Sequence, residues 1–344
     1  MGENRARIFK RGTAVRATLR LEPVVVYVAR RVLYTVPVLL VSTFLSFTFV
    51  SLAGDPTANI RQNPNFSAVT LANLQHKYHL DRPIPVRYGY WLQDVFEHKL
   101  GSSLVTSQPI WPDIERTLAH TGQVVLLAEI FALTLGVAVG MFSAVRQYSP
   151  FDYFFTSFSF LGFAMPVFWF ALLLQILFVD IYLKWHVRIF YTSGLNSVGS
   201  TTWSLDRLQH IALPALTLCV VNFALYSRFM RAAMLDVINS DYVRTARAKG
   251  VSEPRVILRH VARNALIPLT TVVALNLGAL FGGVIVTETV FSLDGIGFYF
   301  FQKLGQLDLY AVMGYLVVTS TIIIVFNLIA DVIYGYLDPR IRYT

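Results

Sequence analysis

Apolar residues fill six long runs of this chain, at positions 32–53, 121–145, 153–180, 208–227, 264–290 and 310–334, with polar segments between them. Each run is close to the roughly 20 residues a helix needs to cross the hydrocarbon core of a bilayer. The pattern therefore predicts six transmembrane helices. The first run follows Arg30 and Arg31, as the apolar part of a signal peptide would. It is longer than the usual 7–15 or so residues of such a region, and no small-residue cleavage site follows it, so it reads as a retained span. The resulting organisation is a basic segment 1–31, a first span 32–53, a long loop 54–120, a five-helix core 121–334 carrying an insert at 228–263, and a tail 335–344.

Lysine and arginine set the expected orientation. Of 29 such residues, 19 lie in 1–31, 146–150, 228–263 and 335–344, and only 10 on the other side, which has the longer loops. The richer side is expected to be cytoplasmic, with both termini inside, as an even number of spans requires. Composition agrees: 55% of residues are hydrophobic and 14% charged, and mean hydropathy is +0.55. Soluble domains carry roughly 25% charged residues, and a soluble fold of this length could not hide so much apolar surface. The net charge of +9 could suggest nucleic acid. Its clustering beside apolar runs excludes that reading and points to the lipid bilayer instead. The one cysteine, Cys219, lies in an apolar run. It excludes an internal disulfide and any multi-cysteine metal site, and it reads as a small core residue.

The long loop is patterned. It carries Pro56, Pro64, Pro83, Pro85, Pro109 and Pro112, and over 86–100 the residues Val86, Tyr90, Val95 and Phe96 recur at helical spacing. Short helices on the outer membrane surface are expected there. The first 25 residues interleave Arg5, Arg7, Lys10, Arg11, Arg16 and Arg20 with Ile8, Phe9, Val15 and Leu19. An amphipathic helix on anionic lipid and a disordered tail fit that segment equally well.

The insert holds the most informative stretch, Asp241-Tyr-Val-Arg-Thr-Ala-Arg-Ala-Lys-Gly250, continuing to Arg259-His-Val-Ala-Arg-Asn-Ala-Leu-Ile-Pro268. Ser240 and Asp241 can cap a helix start. Gly250 suits a left-handed terminus. Ser252 can cap a second helix with Glu253 and Pro254 in its first turn. Ala246 and Ala248 keep the surface thin, and Arg244, Arg247, Lys249, Arg255 and Arg259 offer charge to an acidic partner. On residue chemistry alone, a docking element and a basic loop touching lipid headgroups fit equally well.

Within the spans, Glu129 is the odd residue, because an ionisable group at depth costs at least a few kcal/mol. It is either a carboxylate lining the pathway or, the preferred reading, a buried group paired with a polar neighbour on another helix or a residue nearer the membrane interface. Asn222, Asn276, Thr287 and Glu288 could line a polar route, although the asparagines suit interhelical hydrogen bonds as well. Gly136-x-x-x-Gly140 and Gly278-x-x-x-Gly282 place small residues on one helix face, a spacing that permits close contact. His76 and His79 have helical spacing, but no carboxylate or cysteine cluster joins them, so no metal site is expected. There is no nucleophile–base motif and no phosphate loop of the G-x-x-x-x-G-K-[ST] type, so no catalysis and no cofactor are expected in this chain.

The insert resembles the coupling loop of ATP-driven importer permeases. The general pattern, Glu-Ala-Ala-x-x-x-Gly-x(9)-Ile-x-Leu-Pro, is degraded. Aligned on Gly250, only Ala246 matches the first part, and His260, Val261, Ala262 and Arg263 replace the last. The version found in the dipeptide/oligopeptide/nickel branch is similar almost letter for letter. Further branch-like stretches are Leu52-Ala-Gly-Asp-Pro56, Leu80-Asp-Arg-Pro83, His210-Ile-Ala-Leu-Pro214, Glu288-Thr-Val-Phe291 and Leu337-Asp-Pro-Arg-Ile-Arg342. One departure is Ser292-Leu-Asp-Gly295, where the family has a Trp-Pro-Gly-like turn. The resemblance implies an all-α, six-span permease of the type I ABC importer fold in the plasma (inner) membrane of a prokaryote. It also implies a homologous second permease, cytoplasmic P-loop ATPase subunits (two chains or one fused chain) using ATP and magnesium, and an extracytoplasmic binding protein. The ATPase-coupling surface would be Asp241, Tyr242, Arg244, Ala246, Arg247, Lys249, Gly250 and Arg255, and the pathway candidates Glu129, Asn222, Asn276 and Glu288. Peptides are the expected cargo, with nickel chelates and glutathione behind. An ion-gradient-driven secondary transporter and a receptor or scaffold are the other classes. The first usually shows internal repeats and discontinuous spans, and no repeat is evident here.

Overall fold

The computed structural model describes residues 29–30, 33–54, 68–97, 100–197, 199, 204–282 and 284–337. The basic N-terminal segment up to residue 28 and the tail beyond Leu337 lie outside the described residues. Regular structure among those described is helical, apart from one isolated bridge between Ser102 and Pro109. The helices are α1 Leu33–Ala53, α2 Ala68–Lys77, α3 Ile84–Glu97, α4 Ile110–Val145, α5 Pro150–Ala164, α6 Val167–Trp185, α7 Leu205–Ile238, α8 Asp241–Ala248, α9 Glu253–Phe281, α10 Ile285–Val290, α11 Ile296–Gly305 and α12 Leu309–Leu337. Six of them, α1, α4, α6, α7, α9 and α12, are long and apolar enough to cross a membrane.

Two expected spans differ in detail. The run 153–180 is not one helix. It breaks at Met165-Pro166, because proline lacks the amide that would continue the ladder and pushes the preceding residue to an extended conformation; Met165 has φ −79° and ψ 127°. Of the two pieces, only α6 is long and apolar enough to cross. The run 264–290 ends early, at Phe281, and α10 is a separate short helix. At its other end this span begins eleven residues sooner than its apolar run, at Glu253, so the second helix of the insert and the fifth span are one rod. A π-helical segment, Val256–Ala262, lies near its start.

The centre of the bundle is the α4–α7 pair. Gly136 and Gly140 let the two backbones meet. A methyl on Gly140 would stand 2.6 Å from the Ser227 carbonyl oxygen and 2.8 Å from Met230 Cβ, and one on Gly136 2.9 Å from Tyr226 Cβ. The second spacing motif works the same way between α9 and α12, with a methyl on Gly278 2.9 Å from Phe326 Cβ. Small residues at such crossings replace the hydrophobic driving force that lipid removes. Helix α5 is fastened to α7 by Asp152, whose carboxylate accepts from Arg231 Nε at 2.7 Å and Nη2 at 2.8 Å. The Arg231 bonds hold the Asp152 carboxyl below its usual range.

The long connection between α1 and α4 folds onto the bundle. Asp308, fully buried, accepts from Ser103 Oγ at 2.5 Å and from the Leu104 amide at 3.0 Å. Tyr310 donates to the Tyr78 carbonyl at 2.9 Å. Helix α3 forms near the expected positions. Val86, Tyr90 and Phe96 are exposed, while Arg87, Tyr88 and Trp91 turn inward against Phe47 of α1.

Candidate functional site

The insert is built by a helix terminus. Helix α8 ends in a left-handed glycine: Gly250 has φ +76°, its amide donates to the Arg247 carbonyl at 2.9 Å, and the Val251 amide donates back to the Ala246 carbonyl at 3.3 Å. That pair of bonds is the Schellman closure. It turns the chain sharply into α9. The expected side-chain caps are not made. The hydroxyl of neither Ser240 nor Ser252 accepts a hydrogen bond from the helix it precedes. The start of α8 is held by backbone bonds instead, from Val243 and Arg244 to the Ser240 carbonyl.

The packing of α8 sorts the candidate coupling residues. Val243 and Ala246 are buried against the chain's own core, with Val256 and Val261 of α9 in the same cluster. Ala246 therefore anchors the helix from inside. Arg247 is spent within the chain, donating from Nε and Nη2 to the Glu253 carboxylate at 3.1 and 2.8 Å, which bridges α8 to α9. Tyr242 stays exposed while its hydroxyl accepts from Asn264 Nδ2 at 3.1 Å. Asp241, Arg244, Lys249, Gly250 and Arg255 remain on the exposed side. The insert is thus a helix-turn-helix knob with a basic outer face.

Midway along the bundle, three of the four pathway candidates meet. Glu129 of α4 accepts from Asn222 Nδ2 at 2.5 Å and from Tyr226 OH at 2.8 Å, both on α7, and from Asn276 Nδ2 of α9 at 3.4 Å. Asn276 also donates to Tyr226 OH at 2.8 Å and to Asn222 Oδ1 at 3.2 Å. Glu129 and Asn222 are each 5% exposed and Tyr226 is fully buried. The arrangement is the preferred reading of Glu129, a buried carboxylate with polar partners on neighbouring helices. Tyr226 escaped the sequence reading, although it stands four residues beyond Asn222 and so shares its face.

Glu288 is elsewhere. It sits on α10 towards the end of the bundle that carries the long loop, accepting from Thr121 Oγ1 at 2.5 Å and from the Phe298 amide at 2.8 Å. Beside it, Asp294 pairs with Arg116, and the Asp294 carbonyl meets His120 Nδ1 at 2.8 Å. His120 and then Arg116 hold the Asp294 carboxyl below the usual carboxylate range.

One flank of α4 is unpartnered. An apolar groove of about 800 Å³ runs between α4 and the first turns of α9, lined by residues such as Met141, Phe142 and Leu258. A second, of about 370 Å³, continues it between α4, α9 and α12. Leu133 and Val137 line both.

Comparison with known proteins decides what such a bundle is. Residues 136–343 match the family described as the binding-protein-dependent transport system inner membrane component. The chain belongs to that family. It is 38% identical over 319 residues, 92% of this chain and 99% of the relative, to the oligopeptide transport system permease protein AppB of Bacillus subtilis (strain 168). It is 32% identical to the dipeptide transport system permease protein DppB of Escherichia coli (strain K12), over 92% of this chain and 98% of that one. Among solved structures, a chain of the MetNI methionine ABC transporter in an inward-facing form superposes with TM-score 0.54 at 15% identity, covering 68% of this chain and all of its own. That likeness speaks to the fold alone. This inner membrane component is thus a multi-pass permease subunit, and the self-sufficient secondary transporter loses its ground.

Proposed function

We propose that this chain forms half of the translocation pathway of an ATP-driven peptide importer. The observation that carries the reading is the insert: a capped, internally bolted helix standing between two spans, with Tyr242, Arg244, Lys249 and Arg255 outward. A partner pressing on that knob moves α9 directly, because α8 and α9 share a buried contact and the Arg247–Glu253 bridge. The partner is a cytoplasmic P-loop ATPase, which binds ATP and magnesium. Closure of the ATPase dimer then carries different free energy in the inward and outward permease states, and nucleotide shifts the permease population.

The insert end faces the cytoplasm, by the lysine and arginine asymmetry, and both termini lie on that side of a prokaryotic plasma membrane. The long-loop end receives cargo from an extracytoplasmic binding protein. The apolar flank along Leu133 and Val137 meets a homologous second permease. Di- or oligopeptides are the cargo, as the names of the AppB and DppB relatives suggest.

The test is a pull-down of the tagged chain from mild detergent with mass spectrometry of what copurifies. Recovery of a second permease and a P-loop ATPase is expected, and a chain that purifies alone and monodisperse would overturn the reading. In the recovered complex, Gly250→Pro is expected to abolish the cargo-stimulated part of ATP hydrolysis. Proline cannot adopt the +76° φ of that position.

A further inference from the structure

A buried cation with no counterion in contact stands at the loop end of the bundle. Arg207 is 1% exposed. Its Nε donates to Gln123 Oε1 at 2.9 Å, and its Nη1 to Asn196 Oδ1 at 2.8 Å and the Leu195 carbonyl at 3.4 Å. Its Nη2 is sealed from solvent and donates to nothing. All three acceptors are neutral. Among the described residues Arg207 takes part in no ion pair within 4 Å: Asp294, which pairs with Arg116 and His120, acts on it only through space, and Asp206 holds the amide and hydroxyl of Ser197. Removing a guanidinium from water with no opposite charge in contact costs several kcal/mol. Arg207 also occupies the first turn of α7, where the helix end is itself positive.

The chemistry of the unused edge names the missing group. The Nε–Nη2 edge of a guanidinium matches the two oxygens of a carboxylate. Here that edge faces Gln123, whose single amide oxygen occupies Nε and leaves Nη2 idle. Asn196 and Leu195 hold the opposite corner, which fixes the plane. Gln123 is only half-buried, and its amide nitrogen is a further donor beside that edge for a carboxylate. His120 and Arg116 lie on the same face of α4, one and two turns nearer the loop end, each beside Asp294.

We propose that the Nε–Nη2 edge of Arg207 is a binding subsite for a carboxylate of the cargo, the C-terminal carboxylate of a peptide, at the mouth of the pathway. The subsite rests on the peptide-importer reading above. It adds to the permease a selection for a free C-terminus, separate from any made by the binding protein.

The experiment is uptake by the whole transporter, with its binding protein and ATPases, reconstituted in vesicles. Radiolabelled dialanine and its C-terminal amide are compared for wild type, Arg207→Gln and Arg207→Lys. The readout is the ratio of acid to amide uptake, so that a variant which merely folds poorly lowers both and leaves the ratio alone. The ratio is expected to fall about ten-fold in Arg207→Gln, with amide uptake preserved. Arg207→Lys, which keeps charge but loses the fork, should fall in between. An unchanged ratio in Arg207→Gln overturns the subsite and leaves the importer standing. Wild-type vesicles that take up neither peptide overturn the importer reading, and the subsite with it.

Discussion

Glu129 meets only side chains, whereas Glu288 meets backbone. The first accepts from two asparagine amides and a tyrosine hydroxyl contributed by α7 and α9, all of which can turn about their own bonds. The second accepts from the Phe298 amide, fixed in the first turn of α11, and from Thr121, whose oxygen is itself fixed by the Ile296 amide at 2.9 Å. Both are glutamates buried to 5% exposure or less. One is a hub that neighbouring spans can rearrange around while staying satisfied. The other is a clasp that only a carboxylate in one place can close. The hub joins α4, α7 and α9 through side chains that can re-pair, whereas the clasp fixes the α10–α11 corner to α4 through backbone.

The clasp should yield the largest effect. Glu288→Ala strands the Phe298 amide and the Thr121 hydroxyl in a buried site, each costing about 1–3 kcal/mol. A loss of about 3 kcal/mol in unfolding free energy is expected, read as an earlier thermal transition of the purified chain in mild detergent. A wild-type transition would place water in the site and dissolve the distinction from Glu129.

Gly295→Ala reaches the same clasp from outside. Gly295 has φ −104° and ψ 173°, a conformation any residue adopts, so alanine brings no backbone strain. Its methyl would instead overlap the Glu288 carboxylate. The expected cost is about 2 kcal/mol, somewhat below that of Glu288→Ala, because the side chain is displaced and not deleted. In Glu288→Ala the carboxylate is already gone, so adding Gly295→Ala should cost almost nothing more. Strong non-additivity in the double-mutant cycle is the signature. Simple addition would mean that the glycine serves some other contact.

This corner also shows what sequence could and could not supply. Apolar runs revealed six spans, because a bilayer demands long uninterrupted helices, and the Gly136 and Gly278 motifs marked the two close crossings correctly. Gly250 betrayed its left-handed turn, because few other residues tolerate it. Span ends were less legible. Apolarity does not stop at Met165-Pro166, and the helix from Glu253 begins well before its apolar run. Glu129, Asn222 and Asn276 were visible as polar residues in spans, but their meeting depends on how three helices rotate, which no local spacing encodes. Glu288 had the same signature and a different role. Gly295 was read as a turn glycine, and only the fold puts the Glu288 carboxylate where its side chain would be. Arg207 passed unnoticed because arginine at a span end is ordinary, and its burial arises from the 194–197 connector.

The conservative swap to glutamine separates the two residues most sharply and has the smaller effects. Glutamine at 288 must aim its amide either at the Phe298 N–H, donor against donor, or at Thr121, whose oxygen already receives the Ile296 amide and whose hydrogen would then lack a partner. Either choice leaves a buried mismatch of about 1–2 kcal/mol.

Glutamine at 129 has an escape. If its amide faces Tyr226, that hydroxyl accepts, and Asn276 can flip to take the tyrosine hydrogen on its own oxygen. If its amide faces Asn222, that side chain flips to accept it, and Asn276, which donates to Asn222 Oδ1, flips with it. Each rearrangement moves only side-chain atoms, and interhelical hydrogen bonds in membranes contribute about 0.6 kcal/mol on average. Glu129→Gln should therefore lose less than about 1 kcal/mol of stability and keep its peptide uptake rate within about two-fold in reconstituted vesicles. A stable Glu129→Gln protein with abolished uptake would contradict that expectation. The charge itself, and not the hydrogen-bonded hub, would then be what the cargo or the moving helices sense.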